Sequence, residues 1–184
     1  MKFKMKPVAY GLLSLFGCIG TVQAQIYTEV SYLNLSSRAT VSAGKTESNG
    51  EVISGLIGYS LNSNFSVEGV LGTGLGGADV KLNGASQTRP VTSKLNQSYG
   101  AYLRTSMDLT PEVSVFARLG WNEWRTTASN SLASSSSTLS DWAYGAGMNY
   151  QINPTTYLSA SWMNVYNKDS VKVDGWSIGL GHRY

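Results

Sequence analysis

Eight stretches of this chain alternate residue by residue between two kinds of side chain. That period of two constrains the fold more than any other feature. The stretches are Ile26–Leu35, Val52–Leu61, Phe65–Leu75, Ser98–Leu109, Val113–Asn122, Asp141–Gln151, Thr156–Tyr166 and Gly175–Tyr184. Each spans about 10 to 12 residues, close to the ~9–11 that a tilted strand needs to cross a bilayer. None carries the 3.6-residue period of an amphipathic helix. No run of about 20 apolar residues is present to form a membrane-spanning helix either.

The connections alternate in length. Asn62-Ser63-Asn64, Thr110-Pro111-Glu112 and Ile152–Pro154 are hairpin turns of Asn, Thr, Pro and Ser. The other four, Ser36–Glu51, Gly76–Gln97, Glu123–Ser140 and Asn167–Asp174, are long, polar and read as loops. Ser129–Ser140 approaches low complexity. An even number of strands, with short turns at one end and long connections at the other, describes a bacterial outer-membrane barrel with its turns in the periplasm.

Sorting the strands by parity decides which face is oily. Segment four divides Tyr99, Ala101, Leu103, Thr105, Met107 and Leu109 from Gly100, Tyr102, Arg104, Ser106 and Asp108. Segment five divides Val113, Val115, Ala117, Leu119 and Trp121 from Ser114, Phe116, Arg118, Gly120 and Asn122. A soluble barrel keeps its apolar face inside. Here small and charged residues share one face, so the apolar face must meet lipid. Aromatic residues add a second sign. Tyr59, Phe65, Tyr150 and Tyr184 fall at the short-turn rim, and Tyr32, Tyr99, Trp121, Trp142 and Trp176 at the other. Two such belts mark the two interfaces of a membrane barrel.

The N-terminus carries an export signal. Lys2, Lys4 and Lys6 precede a mostly apolar run from Val8 to Gly20, and Val22-Gln23-Ala24 offers small residues for signal peptidase. The expected division is a signal peptide over residues 1–24 and a barrel domain over 25–184. The rival site, a lipoprotein cleavage before Cys18, fits poorly because Phe16 stands two residues ahead of it. Loss of the three lysines takes Lys+Arg from 14 to 11, equal to the 11 Asp+Glu. The formal charge of +3 therefore belongs to the leader and gives no support to nucleic-acid binding. Cys18, the one cysteine, goes with the leader, so no disulfide or thiolate chemistry is expected.

The informative charged residues that point inward by parity are Glu29, Glu68, Arg104, Arg118 and Arg183. The interior of an eight-stranded barrel is just wide enough for side chains to fill it. An unpaired charge there costs several kcal/mol, so a Glu–Arg network closing the lumen is expected. Inward Gly145, Gly147, Gly179 and Gly181 would make room for the arginines, Tyr102 and Phe116. Intramembrane charges can also mark an ion pathway, and that alternative stays open at this point.

The leader, the eight strands, Glu29 and Glu68 on the first and third, and the ending Trp176-Ser-Ile-Gly-Leu-Gly-His-Arg-Tyr184 carry a family resemblance. The chain resembles the small eight-stranded outer-membrane barrels. These include outer-membrane protein X, the attachment-invasion proteins and the transmembrane domain of outer-membrane protein A. The resemblance covers the whole mature chain and is specific for fold and membrane, far less for activity. It implies that Trp176, Ile178, Leu180 and Tyr184 form the C-terminal signal read by the barrel assembly machinery, with periplasmic chaperones as further partners in biogenesis. His182 stands where the family usually carries tyrosine.

The expected fold is therefore all-β, an eight-stranded antiparallel up-and-down transmembrane barrel, monomeric and surrounded by outer-membrane lipid and lipopolysaccharide. Its expected role is structural or adhesion-like, through extracellular loops where Arg38, Lys45, Lys81, Arg89, Lys94 and Arg125 outnumber Glu47, Glu51, Asp79 and Glu123. Lipopolysaccharide phosphates or sulfated glycans suit such a surface. A narrow pore is the alternative. Lipid A modification is weaker still, since the one histidine, His182, falls on the lipid-facing side at the periplasmic end. No cofactor or metal is expected. Gly72-Thr-Gly74-Leu-Gly-Gly77 matches a dinucleotide fingerprint, but no helix follows to receive a pyrophosphate. Protein extracted from outer membranes should have the intact mass of Gln25–Tyr184. A lipid-modified N-terminus at Cys18 would instead establish the rival cleavage.

Overall fold

The computed structural model describes residues 26–41, 44–86, 92–129, 134–168 and 170–184. The leader with its cleavage site and Cys18, Arg89, and residues 130–133 of the serine-rich stretch lie outside the described residues. The chain forms one antiparallel sheet of eleven strands. In chain order these are β1 (Ile26–Val41), β2 (Gly44–Ser60), β3 (Phe65–Gly74), β4 (Gly77–Asp79), β5 (Lys81–Leu82), β6 (Ala85–Ser86), β7 (Thr92–Asp108), β8 (Val113–Ser129), β9 (Ser134–Gln151), β10 (Thr156–Lys168) and β11 (Val171–Arg183). Eight long strands make the wall, and β4, β5 and β6 decorate the excursion between β3 and β7.

The wall is a closed ring. β1 pairs with β2 from Ile26↔Tyr59 to Val41↔Gly44, and with β11 from Tyr27↔Arg183 to Ala39↔Val171. The last seam is completed by Tyr184 N donating to Ile26 O at 2.9 Å. Closure matters because hydrocarbon offers no partner to an open edge, so each backbone group must bond to a neighbouring strand. The three short turns are held by side chains. Asn62 Oδ1 accepts from the amides of Asn64 and Phe65, both at 2.9 Å. Thr110 Oγ1 does the same for Glu112 and Val113, and Asn153 Oδ1 for Thr155 and Thr156. Asn and Thr suit these sites because a short polar side chain can imitate the next turn of backbone.

Burial is inverted relative to a soluble protein. Ile178 is 67% exposed and Leu71 64%, whereas Glu29 and Glu68 are 3% exposed and Arg104 5%. Such an assignment is stable only where lipid covers the outer face. Trp121 and Trp142 are cross-strand neighbours on that face, their rings 6.0 Å apart and nearly perpendicular. Edge-to-face packing of this kind adds about 1 kcal/mol beyond burial.

The connections read as long loops are corrected by the structure. Ser36–Glu51 is the continuation of β1 and β2, Glu123–Ser140 lies largely within β8 and β9, and Asn167–Asp174 is mostly the hairpin of β10 and β11. These extensions lie beyond the apolar band, so their outer face meets water, and past the inward Trp124, Leu139 and Val173 no apolar alternation marks them. Ser and Thr pair across them instead, as with Thr127 and Ser136, whose hydroxyls are 2.8 Å apart. Among the described residues only the second of these connections, Gly76–Gln97, breaks into short pieces.

Two tyrosines fill the interior against glycines. A Cβ at Gly58 would lie 2.1 Å from Tyr27 Cζ, and one at Gly181 2.1 Å from Tyr157 Cζ. Neither site admits a side chain. Among the glycines expected to make room inside, Gly147 receives Phe116, while Gly179 faces the Glu29 carboxylate and Gly145 faces Met163. Tyr102 lies instead against Gly100 and Gly120. Gly181→Ala should therefore destabilise the folded protein by about 3 kcal/mol through overpacking against a ring that cannot move aside. A lower urea midpoint in detergent checks this, and an unchanged midpoint would show that the ring has another place to go.

Candidate functional site

The structure gathers four of the five inward charges at one level. Register places Arg104 directly opposite Arg118 on β7 and β8, an arrangement of like charges that is repulsive by itself. Glu68, projecting from β3 beside them, lies between the two. Arg104 Nη1 donates to Glu68 Oε1 at 3.3 Å, and Arg118 Nε stands 2.7 Å from Glu68 Oε2. Glu29, from β1, extends the cluster with its Oε2 3.9 Å from Arg118 Nη2. All four side chains are buried.

Neutral groups complete the cluster. Tyr27 donates to Glu68 Oε1 at 2.6 Å, and Ser31 donates to Glu29 Oε1 at 2.7 Å. Phe116 presents its ring to both guanidinium groups, with Arg104 Cζ 4.1 Å and Arg118 Cζ 4.6 Å from its ring centroid. Cation–π contact of this kind is strongest where water is excluded. Asn149 presents its amide oxygen to Arg104 Nη2 at 2.7 Å in the orientation that satisfies both of its amide atoms. Above the cluster, Tyr102 donates to Asn122 Oδ1, and Asn122 Nδ2 donates to Val165 O at 2.8 Å.

Arg183 stands apart from this group. Its Nη1 donates to Gln151 Oε1 at 2.6 Å, and its guanidinium lies over Tyr157, 5.1 Å from the ring centroid. It sits at the short-turn mouth, lining a polar cavity of about 360 Å³ with Arg104, Asn149, Tyr27 and Tyr157. Directly on the far side of the ions lies a void of about 40 Å³, touched by Arg118, Tyr102, Asn122 and Trp124. The ions thus separate the two ends of the lumen.

Tyr27, Tyr157, Asn122 and Asn149 were missed by sequence reasoning, which followed charge. The signal was present, since each has the same parity as a charged or serine neighbour on its strand. At the C-terminus, Trp176, Ile178, Leu180 and Tyr184 all project outward and are well exposed. His182 also projects outward, its ring packed against Tyr184 with centroids 4.8 Å apart.

This geometry defines an integral membrane barrel whose wall is oily and whose interior is ionic. The chain belongs to the outer-membrane protein β-barrel domain family, whose model matches residues 11–183. Its place is the bacterial outer membrane. Among solved structures it is similar to Ail, the attachment invasion locus protein of Yersinia pestis, at 18% identity and a TM-score of 0.62, covering 89% of this chain and 100% of that one. The Neisserial surface protein A is similar at 14% identity and a TM-score of 0.60, covering 86% and 97%. The N-terminal barrel domain of OprF from Pseudomonas aeruginosa is similar at 16% and 0.58, covering 88% and 100%. At these identities the likeness is one of fold. No curated protein sequence matches the chain.

Removing Glu68 would leave two opposed arginines with only Glu29 near them. Glu68→Ala should cost about 3–5 kcal/mol of stability. Adding Arg104→Ala should restore part of that loss, because one unpaired charge leaves with it. Chemical unfolding of the two single variants and the double variant checks the coupling, and strict additivity would show that the pair does not interact.

Proposed function

We propose that the protein is a closed-lumen outer-membrane barrel that acts as a monomer by contact at the cell surface, not as a pore and not as an enzyme. The observation that carries this reading is the buried ion cluster of Glu29, Glu68, Arg104 and Arg118 across the bore, in which each charge has an opposite charge within 4 Å. A path for ions would need a hydrated route past these groups. A side chain freed by titration would have to leave its partners in a medium that penalises isolated charge. The interior is thus read as a structural filling, with Arg183 fixing the short-turn mouth and the outward C-terminal residues serving assembly.

The short turns face the periplasm in this reading, and the strand extensions stand outside the cell. Arg38 on the extensions is paired with Asp174. Lys45, Lys81, Lys94 and Arg125 remain exposed there. A polyanion, either a sulfated glycan or the phosphates of lipopolysaccharide, suits such a set of flexible cations. Ail of Yersinia pestis has been crystallised with the heparin analogue sucrose octasulfate, which supports a ligand of this class on a barrel of this fold. Catalysis is disfavoured by the outward, lipid-side position of His182, where it packs on Tyr184 away from any inward hydroxyl.

Two measurements test the reading. In planar bilayers the purified protein should give no steady unit conductance, and a reproducible open level would replace this reading with the pore. On immobilised heparin it should be retained at low salt, and the variant with Lys45, Lys81, Lys94 and Arg125 changed to Ala should elute at lower salt. Equal elution of both proteins would remove the polyanion from the proposal.

A further inference from the structure

Five wall strands share a short-range pattern. Each carries an aromatic residue of outward parity, and three residues nearer the long-hairpin mouth an apolar side chain of the opposite parity. The pairs are Tyr32 and Leu35 on β1, Trp121 and Trp124 on β8, Trp142 and Leu139 on β9, Trp162 and Val165 on β10, and Trp176 and Val173 on β11. An odd spacing reverses the face of a strand, so the second member turns inward. On β7 the spacing is four, from Tyr99 to Leu95, because a bulge between Leu95 and Gln97 absorbs one residue. Three residues rise about 10 Å along a strand, and less along the axis of a tilted one. The inner ring therefore lies just beyond the aromatic belt, on the aqueous side of it.

The strands separate at this level. Pairing of β9 with β10 stops at Tyr144↔Asn164, and that of β2 with β3 stops at Val52↔Gly74. Beyond these points the hairpins form two lobes, one from β1, β2, β10 and β11, the other from β7, β8 and β9, joined on one side by the excursion, whose β5 pairs with β2 and whose β4 pairs with β7. Asn167 N donates to Asp141 Oδ2 across the first gap at 3.0 Å. Between the lobes lies a cleft of about 160 Å³, open to the outside, with Leu35, Val165 and Val173 on one side and Leu95, Trp124 and Leu139 on the other; Glu51 and a few Ser and Thr residues complete a mainly apolar lining. Apolar cavities of about 150 Å³ accept a benzene-sized guest. Trp124 adds a donor to this apolar lining, since its Nε1–H is buried and meets no acceptor.

We propose that this cavity is a binding site for a small apolar molecule with one hydrogen-bond acceptor, of one ring or a short chain, taken up from the external water. The site does not depend on the polyanion reading, because its residues face inward and include none of the exposed cations.

The test uses the five tryptophans of the chain as reporters. Protein labelled with nitrogen-15 at its indoles, in lipid nanodiscs, is titrated with cyclohexanone, and Trp124→Phe assigns the Trp124 signal. A saturable downfield shift of the Trp124 N–H, with the signals of Trp121, Trp142, Trp162 and Trp176 moving only in proportion to added ligand, is expected. Val165→Phe, which fills the cavity, should abolish that shift while leaving the other four signals in place. Leu95→Phe, from the opposite lobe, serves the same purpose should the first variant fail to insert. An unmoved Trp124 signal, or a shift that persists in the filled variants, would overturn the site.

Discussion

Hydrocarbon cannot hydrogen-bond, and nearly every feature of this protein follows from that. A sheet in lipid must close on itself, so β1 has to meet β11, and the register between them runs unbroken for thirteen residues from Tyr27 to Ala39. Closing eight strands fixes a narrow bore, which side chains must fill. The outer face has to be apolar, so polar residues are left for the inside, where water is scarce. An interior charge is then tolerable only among partners. Glu68 meets this demand most directly, because it lies between two arginines that the register forces to face each other. The ion cluster is better understood as the consequence of closure than as the source of stability. A buried pair gains little over a well-packed apolar one, yet is expensive to break.

The fold was legible in the chain because lipid and lumen impose opposite chemistry on alternate residues. Glu29, Glu68, Arg104 and Arg118 could be turned to the inner face by parity alone. Two things were not legible. Above the membrane the outer face of a strand meets water and the inner face keeps only a few apolar residues, so Ser36–Glu51 and Glu123–Ser140 lose the alternation while keeping their backbone pairing, and they resemble loops. Bulges also hide themselves. Those between Leu95 and Gln97 and between Asn164 and Tyr166 shift the face of every later residue without leaving a mark in composition. Arg183 is a different case. Its position at the last residue of β11 puts it at the mouth with Gln151, away from the carboxylates.

The interior is graded along its axis, and the grading has an electrostatic sense. The ions and the polar cavity occupy the short-turn half, where tight Asn and Thr turns hold the mouth rigid. Tyr102 and Asn122 form a neutral hydrogen-bonded layer above them. Beyond that, apolar side chains take over as the wall leaves the lipid. This order is the reverse of the outer surface, which is oily in the middle and polar above. Moving the apolar residues from the outer face to the inner one at the belt keeps each level of the wall with one dry side.

The bulge on β10 shows how that change of face is built. Asn164, Val165 and Tyr166 are all buried, so strict alternation fails there, and the irregular register with β11 falls at the same residues. Asn164 Oδ1 and Nδ2 meet no partner, an unfavourable arrangement that a simple strand would not need. The pairing of β10 with β9 ends at this same residue. An extra residue increases local twist and bends the strand. Here it would turn the β10–β11 hairpin away from the β8–β9 hairpin and open the space between the lobes. Restoring regular alternation at this point would continue the β9–β10 ladder upward and close the gap. The irregularity and the cavity are thus two aspects of one local departure from the barrel.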